Sequence, residues 1–265
     1  MIESIVLQIL IMAPLMMGAY LSISLLKVPD LSLESAYLFG AVVGGLTGDN
    51  FGAFFAAAGG GAIVGFLTSF LSQFARLPFL LSAIVVNGLF HGTILLVMKG
   101  AILQIHADFG LKVLILVVMS VGTVFFLLLC SQLGYAFAIY GNNPLFFRRH
   151  NISTQYVVIA GTALASSAAG LSGYLFAGSS GFVDMTSGVG VVLLSLTSLM
   201  LGKVIVQRSS LLMPCVGVVI YFLLQHGLLK AGFPLKYFNA VQAAVVLGVW
   251  IFSRRKQPLL NHLGV

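Results

Sequence analysis

The sequence predicts an all-α polytopic membrane protein with about nine transmembrane segments, and three observations carry that prediction. Of its 265 residues 60% are apolar and only 7% are charged, whereas a soluble domain carries about a quarter charged residues and needs them to cover its water-facing surface. Five apolar stretches run for about 20 residues without a charge, the length that crosses a ~30 Å hydrocarbon core. The few Lys and Arg residues stand at the ends of these stretches and not within them, as membrane orientation requires.

Taken in order, the apolar segments fall at about 4–26, 33–48, 51–73, 78–98, 111–133, 154–177, 189–206, 210–229 and 237–253. The first follows Glu3, with no basic stretch before it and no small-residue cleavage site after it, so it reads as a retained helix and not a signal peptide. The second and seventh are short. The second carries Gly40, Gly44, Gly45 and Gly48, and Gly188 and Gly190 lead into the seventh. Short Gly-rich spans point to broken helices or to close packing on neighbours. Cys130 and Cys215 sit in apolar segments without partners at metal or redox spacing, and read as small buried hydrophobes.

Orientation follows from the cations. If the hydrophilic stretch around Arg148 and Arg149 is cytoplasmic, then Lys27, Arg76, Lys203, Arg208, Arg254, Arg255 and Lys256 fall on that side too. Nine of the 13 basic residues are then inside, and Lys99, Lys112, Lys230 and Lys236 are outside. The N-terminus is therefore expected outside and the C-terminus in the cytoplasm, which needs an odd number of crossings. The net charge of +7 is accounted for this way, without nucleic acid.

Two polar insertions look alike: residues 28–34, Val-Pro-Asp-Leu-Ser-Leu-Glu, and residues 182–188, Phe-Val-Asp-Met-Thr-Ser-Gly. Each places Asp two residues before Ser or Thr and opens a short Gly-containing span. Five crossings separate Asp30 from Asp184, so the two motifs enter from opposite sides. That is the signature of an inverted repeat, whose paired short segments flag the working region of a transporter. The halves would be about 1–133 and 154–253 of a single domain, joined by a cytoplasmic loop at 134–153. Asp30, Ser32, Glu34, Asp184 and Thr186 are the candidate pathway residues here. Simple capping of the following helices explains the two aspartates equally well.

The loop is the most informative stretch. Asn143 suits an N-cap and Pro144 the first helical position; Arg148, Arg149 and His150 would meet the negative end of the helix dipole, and Asn151 can end it. A two-turn helix between two spans gives Phe146 and Phe147 little core to enter, and exposed aromatics beside arginines make a docking surface.

Gly141-x-Asn143-Pro144, with a preceding Leu133-Gly134, the basic pair and a closing Ile152, resembles the coupling-helix segment of ABC importer permeases of the branched-chain amino acid and ribose class, the type II-like membrane subunits. Residues 28–32 match the Phe-Pro-Asp-Leu-Thr motif of the branch associated with tryptophan and tyrosine uptake, and 181–190 resemble its Gly-Phe-x-Asp…Gly-x-Gly stretch. Ala138 and Asn151 depart from the family pattern, as do the bulky Leu145, Phe146 and Phe147 in place of alanines. The resemblance implies a permease of the bacterial cytoplasmic (inner) membrane, working as a homodimer on an amino acid, with an aromatic one indicated. Its implied partners are a cytoplasmic ABC ATPase dimer and an extracytoplasmic substrate-binding protein. ATP and Mg²⁺ would be bound by that ATPase; for this chain no cofactor or metal is expected. Gly141, Asn143, Pro144, Phe146, Phe147, Arg148, Arg149 and Ile152 are the implied ATPase-coupling residues.

Two further polar sites lie within spans. Asn87 and His91 are four apart on one helical face, where they serve either a pathway or a packing contact. Gln225 and His226 lie near a span end and read as wetted. The chain has no Gly-x-x-x-x-Gly-Lys-Ser/Thr run, HExxH or GxSxG. It is therefore expected to be no enzyme, and any ATP hydrolysis would belong to another chain. A self-sufficient secondary transporter or channel would share the inverted repeat but would not need an aromatic docking helix. A polytopic enzyme would need clustered catalytic groups at one membrane face.

Overall fold

A computed structural model describes residues 2–48, 51–105, 109–143, 146–147, 153–206, 212–230, 232, 240–244 and 246–248. The chain is mostly helical. Helix α1 (Ile2–Ala19) continues as a π-helical turn, Tyr20–Leu25. Then come α2 (Leu33–Thr47), α3 (Phe51–Phe74), α4 (Phe79–Met98), strand β1 (Ile102–Gln104), α5 (Leu111–Cys130), α6 (Gln132–Asn142), α7 (Thr154–Ser180), strand β2 (Phe182–Asp184), α8 (Val191–Ile205) and α9 (Leu212–Lys230). Among the described residues six helices are long and apolar enough to cross a membrane, and α2 and α8 are shorter apolar helices of 15 residues each. Of the last predicted segment, 240–244 and 246–248 are helical.

α7 is the axis of the bundle, with α1, α2 and α3 packed on it. Small residues make that packing close. A Cβ on Gly170 would lie 2.5 Å from the carbonyl oxygen of Ala57, and one on Gly173 only 1.9 Å from that of Tyr37. Backbones approach this closely in membranes because lipid offers apolar side chains no advantage in hiding from it, leaving close van der Waals contact to hold helices together. The outward faces bear large exposed apolar side chains such as Phe55, Leu96, Leu116 and Met119, matched to a hydrocarbon surround. Cys130 and Cys215 belong to this outward surface and are exposed, not buried. A thiol is small and weakly polar enough to be as acceptable facing lipid as facing a core.

The two ends of the bundle are distinct. At one end Lys27 donates to Asn142 Oδ1 at 2.8 Å, bringing the α1–α2 linker beside the end of α6. At the other, β1 and β2 pair antiparallel, with Ile102 opposite Asp184. This ribbon is an addition to the all-α expectation. It ties the α4–α5 connection to the segment after α7, and Ile105 N–H donates to Gly181 O at 2.9 Å to extend it. Three cations that close helical segments, Lys27, Arg76 and Lys99, adopt positive φ of 52–55°, the left-handed conformation that ends helices.

The expected loop 134–153 begins as helix. A break at Ser131, whose backbone is extended, separates α5 from α6. Gly134 lets α6 turn tightly there, since a Cβ would strike the backbone of Leu129 at 2.3 Å.

Candidate functional site

The two motifs fold as equivalent turns. Asp30 Oδ1 accepts from Ser32 N–H at 2.9 Å and from Ser32 Oγ at 2.5 Å. Asp184 accepts from Thr186 N–H at 3.3 Å and from Thr186 Oγ1 at 2.6 Å. Neither aspartate caps the following helix directly. α2 starts three residues after Asp30 and α8 seven after Asp184, so each carboxylate pins a turn ahead of its helix.

Surroundings separate them. Asp30 is 1% exposed, and its Oδ2 has no hydrogen-bond partner among the described residues. Burial pushes its carboxyl up to about 6, against the lowering effect of the Ser32 bonds. Asp184 is only partly buried, and the bonds from Thr186 hold it below the usual carboxylate value.

Glu34 joins the two motifs. It lies in the first turn of α2, and its Oε1 accepts from the N–H of Gly190 at 3.1 Å, 156 residues on. Gly190 can present that N–H because it takes a positive φ of 84° at the start of α8. Gly188 packs on the backbone of Glu34, 3.1 Å from its carbonyl oxygen to an ideal Cβ. The 185–190 turn therefore reaches down to the start of α2.

Beside this contact a cavity of about 110 Å³ is lined by Glu34, Ser35, Asn87, His91, Met185 and Gly188, among others. The structure thus brings Glu34, Asn87 and His91 together, with the 185–189 turn closing one side. Ser32, Asp30 and Thr186 are not on its wall. A carboxylate, an amide and an imidazole around one space can take hydrogen-bond donors and a cationic group.

The described part of the expected coupling segment is reached from the same linker. Gly141 lies against the π-helical turn, where a Cβ would meet the carbonyl oxygen of Leu25 at 1.8 Å. Asn143 ends α6 with its N–H on Ile139 O at 2.7 Å, and its own carbonyl accepts from Phe146 N–H at 3.1 Å, opening the next turn. Phe146 is 39% exposed, but Phe147 is 4% exposed, beside Tyr140 and Phe146. That corrects the expectation of two exposed rings: because α6 continues to Asn142, Tyr140 supplies an aromatic wall for Phe147. Pro144, Arg148, Arg149 and Ile152 lie outside the described residues.

The sequence missed three connections: Lys27 to Asn142, Gly141 to Leu25, and Glu34 to Gly190. The glycines of the motifs marked two of them, since each permits a backbone approach that a side chain would block. Gln225 departs from its wetted reading: the residue is half-buried and its side-chain oxygen is enclosed without a hydrogen-bond partner among the described residues. His226 bonds locally to Phe222 O at 3.1 Å. Among the described residues no cluster of His, Cys, Asp or Glu could hold a metal.

A Gly-packed helical bundle with six helices long enough to cross a membrane, two shorter apolar ones, and a cavity between two equivalent polar turns has the build of a multi-pass membrane permease. The chain belongs to the family of branched-chain amino acid transport system permease components, whose model matches residues 1–250. It is 26% identical to an uncharacterized protein of Rickettsia prowazekii (strain Madrid E), over 92% of this chain and 93% of that one. It is 25% identical to a tyrosine transport system permease protein of Clostridioides difficile (strain R20291), over 91% and 88%. No solved structure matches the chain.

Proposed function

We propose that this chain forms the translocation pathway of an ABC importer for an amino acid, energised by separate ATPase subunits that dock on residues 141–152. The observation that carries the proposal is the continuity from the coupling segment to the cavity. Gly141 and Asn142 touch Leu25 and Lys27. Val28 is tied back to the π-helical turn by Val28 N–H to Ser22 O at 3.0 Å and by Ser22 Oγ to Val28 O at 3.3 Å. Asp30 fixes Ser32, and Ser32 O receives the first helical bond of α2 from Ala36 N–H at 2.9 Å. Glu34 then meets Gly190. Eight residues, 27–34, thus connect the docking segment to the contact between the two motifs.

ATP hydrolysis on the partner subunits supplies the movement; this chain's residues convert it. A shift of the segment around Phe146 is passed to the linker through Gly141 and Lys27. It tilts α2 and separates Glu34 from Gly190, opening the cavity. At about 110 Å³ that cavity is well below the ~300 Å³ at which ligand pockets begin, so it must widen to take an amino acid. Glu34 is placed to receive the ammonium of an amino acid once the 185–190 turn withdraws, with Asn87 and His91 beside it. The tyrosine transport relative supports an aromatic substrate.

The cation asymmetry supports an outer N-terminus, a cytoplasmic C-terminus and the inner membrane of a bacterium. The apolar outward faces of α4 and α5 leave room for a second copy as homodimer partner, and a substrate-binding protein would deliver from the ribbon end. The test is Phe146→Ala with Arg148→Ala, followed by co-purification with the ATPase. A drop of about fivefold or more is expected from removing an exposed aromatic and its neighbouring cation. Unchanged assembly together with unchanged substrate-stimulated hydrolysis would remove the docking assignment.

A further inference from the structure

A second cavity, of about 490 Å³, lies at the end of the bundle that holds the coupling segment. It opens between the π-helical turn, α6 and the last turns of α8, away from Glu34. Its polar wall is Ser24, Lys27, Asn142 and Lys203, and its apolar wall includes Leu199 and Met213. Both lysines are exposed, and among the described residues no acidic side chain lines the space. Asp30, the acid nearest to Lys27 along the chain, is enclosed and uses Oδ1 on Ser32.

The ammonium of Lys27 gives one hydrogen to Asn142 Oδ1 and has two more to offer. Lys203 stands in the last turn of α8. Both cations therefore sit at span ends, the level at which long basic side chains reach the headgroup layer. Two uncompensated cations above an apolar wall, between helices, match a phosphodiester whose acyl chains run down the bundle. A soluble anion would leave the apolar wall unused.

We propose that this cavity binds the headgroup of an anionic phospholipid from the cytoplasmic leaflet. Basic pockets between transmembrane helices on that side are where such headgroups bind. The assignment of this end to the cytoplasm rests on the proposed function, but lipid binding is measured without ATP or substrate, so the two fail separately. A bound lipid here would bridge α8 to the Lys27 linker, and so would set how freely the coupling segment moves.

The full-length protein is purified with equimolar phosphatidylglycerol and phosphatidylcholine, and bound lipid is counted by native mass spectrometry. Wild type is expected to enrich phosphatidylglycerol about fivefold or more, and Lys27→Gln/Lys203→Gln to fall to about even. Lys203→Gln alone leaves the Asn142 bond intact and should give an intermediate value. Lys99→Gln/Lys112→Gln, which removes the same charge from the opposite end, should keep the enrichment. Equal enrichment in wild type and the Lys27/Lys203 variant overturns the proposal. So does inorganic phosphate at millimolar concentration displacing the lipid, which would mark a soluble-anion site. Loss of the enrichment when the partner ATPase is added would assign the cavity to a protein contact and overturn it as well. If the double variant misfolds, unchanged enrichment in Lys203→Gln overturns the proposal by itself.

Discussion

Asp30 and Asp184 each hold the residue two positions on through its N–H and its hydroxyl, yet Asp30 is enclosed by the bundle and Asp184 faces outward. The same local turn thus works under opposite electrostatic conditions. Around Asp184, water solvates the charge and the Thr186 bonds add to it, so the ionised form is favoured. Around Asp30, two bonds to Ser32 do not repay the loss of water, and Oδ2 has no partner among the described residues. Turn geometry is a property of the tripeptide; the state of its carboxylate is a property of what packs over it.

The pH dependence breaks this symmetry most strongly. A carboxyl raised from its ordinary 3.8 to about 6 in the folded protein contributes stability that is full below the unfolded value and is lost as pH rises through about 6. About two pKa units correspond to about 3 kcal/mol lost by pH 8. Asp184 has the opposite sign: lowered in the fold, its contribution is present above the ordinary value and is lost only as pH falls through the folded one. Melting of the purified protein should therefore fall between about pH 4 and pH 6 and level off above that. Asp30→Asn, which keeps an acceptor for Ser32 and carries no charge, should flatten that fall; Asp184→Asn should leave it in place. A wild-type profile that rises over the same interval would show that Asp30 is ionised without cost.

Steric tests sharpen the same contrast at a smaller scale. The Asp30 side is packed, and Gly141→Val would drive a side chain into the Leu25 carbonyl, with an expected cost of about 2 kcal/mol. On the Asp184 side Gly181 has nothing within 4 Å of an added Cβ, but its φ of +75° still strains an L residue, so Gly181→Ala should cost about 1 kcal/mol. The two melting shifts, measured side by side, should keep that order. The reverse order would mean that the π-helical turn yields easily and is a poor lever.

Much of this arrangement was legible in the sequence. The ends of the first eight expected segments fall within about three residues of helix ends, because charge and glycine punctuate apolar runs whatever they pack against, while both ends of the ninth lie outside the described residues. The second and seventh spans read as short, and α2 and α8 are short. Glu34, Asn87 and His91 could be picked out as polar groups in apolar surroundings. Their meeting at one cavity could not, because it depends on how far the 185–190 turn descends. The β1–β2 ribbon was hidden for a related reason: two three-residue strands carry no periodicity until something pairs them. Phe147 shows the limit in reverse. Its exposure was read from the shortness of its own helix, but α6 and Tyr140 decide it.

The smallest expected effect on stability discriminates best between a packed linker and a working one. Lys27 is exposed, and its bond to Asn142 joins two surface side chains, so Lys27→Gln should change melting by no more than about 0.5 kcal/mol. If residues 27–34 only fill space between α1 and α2, transport should change as little. If they pass movement from the docking segment to Glu34, the bond counts in the moving state and not only at rest. Substrate-stimulated ATP hydrolysis should then fall several-fold while the complex still assembles. The matching change at the other end, Thr186→Ala, removes the hydroxyl bond to Asp184 but lies off the proposed route through residues 27–34. It should leave the stimulation ratio near that of the wild type. Equal ratios in the two variants would reduce the linker to a strut and return the coupling role to helices packed directly on α6.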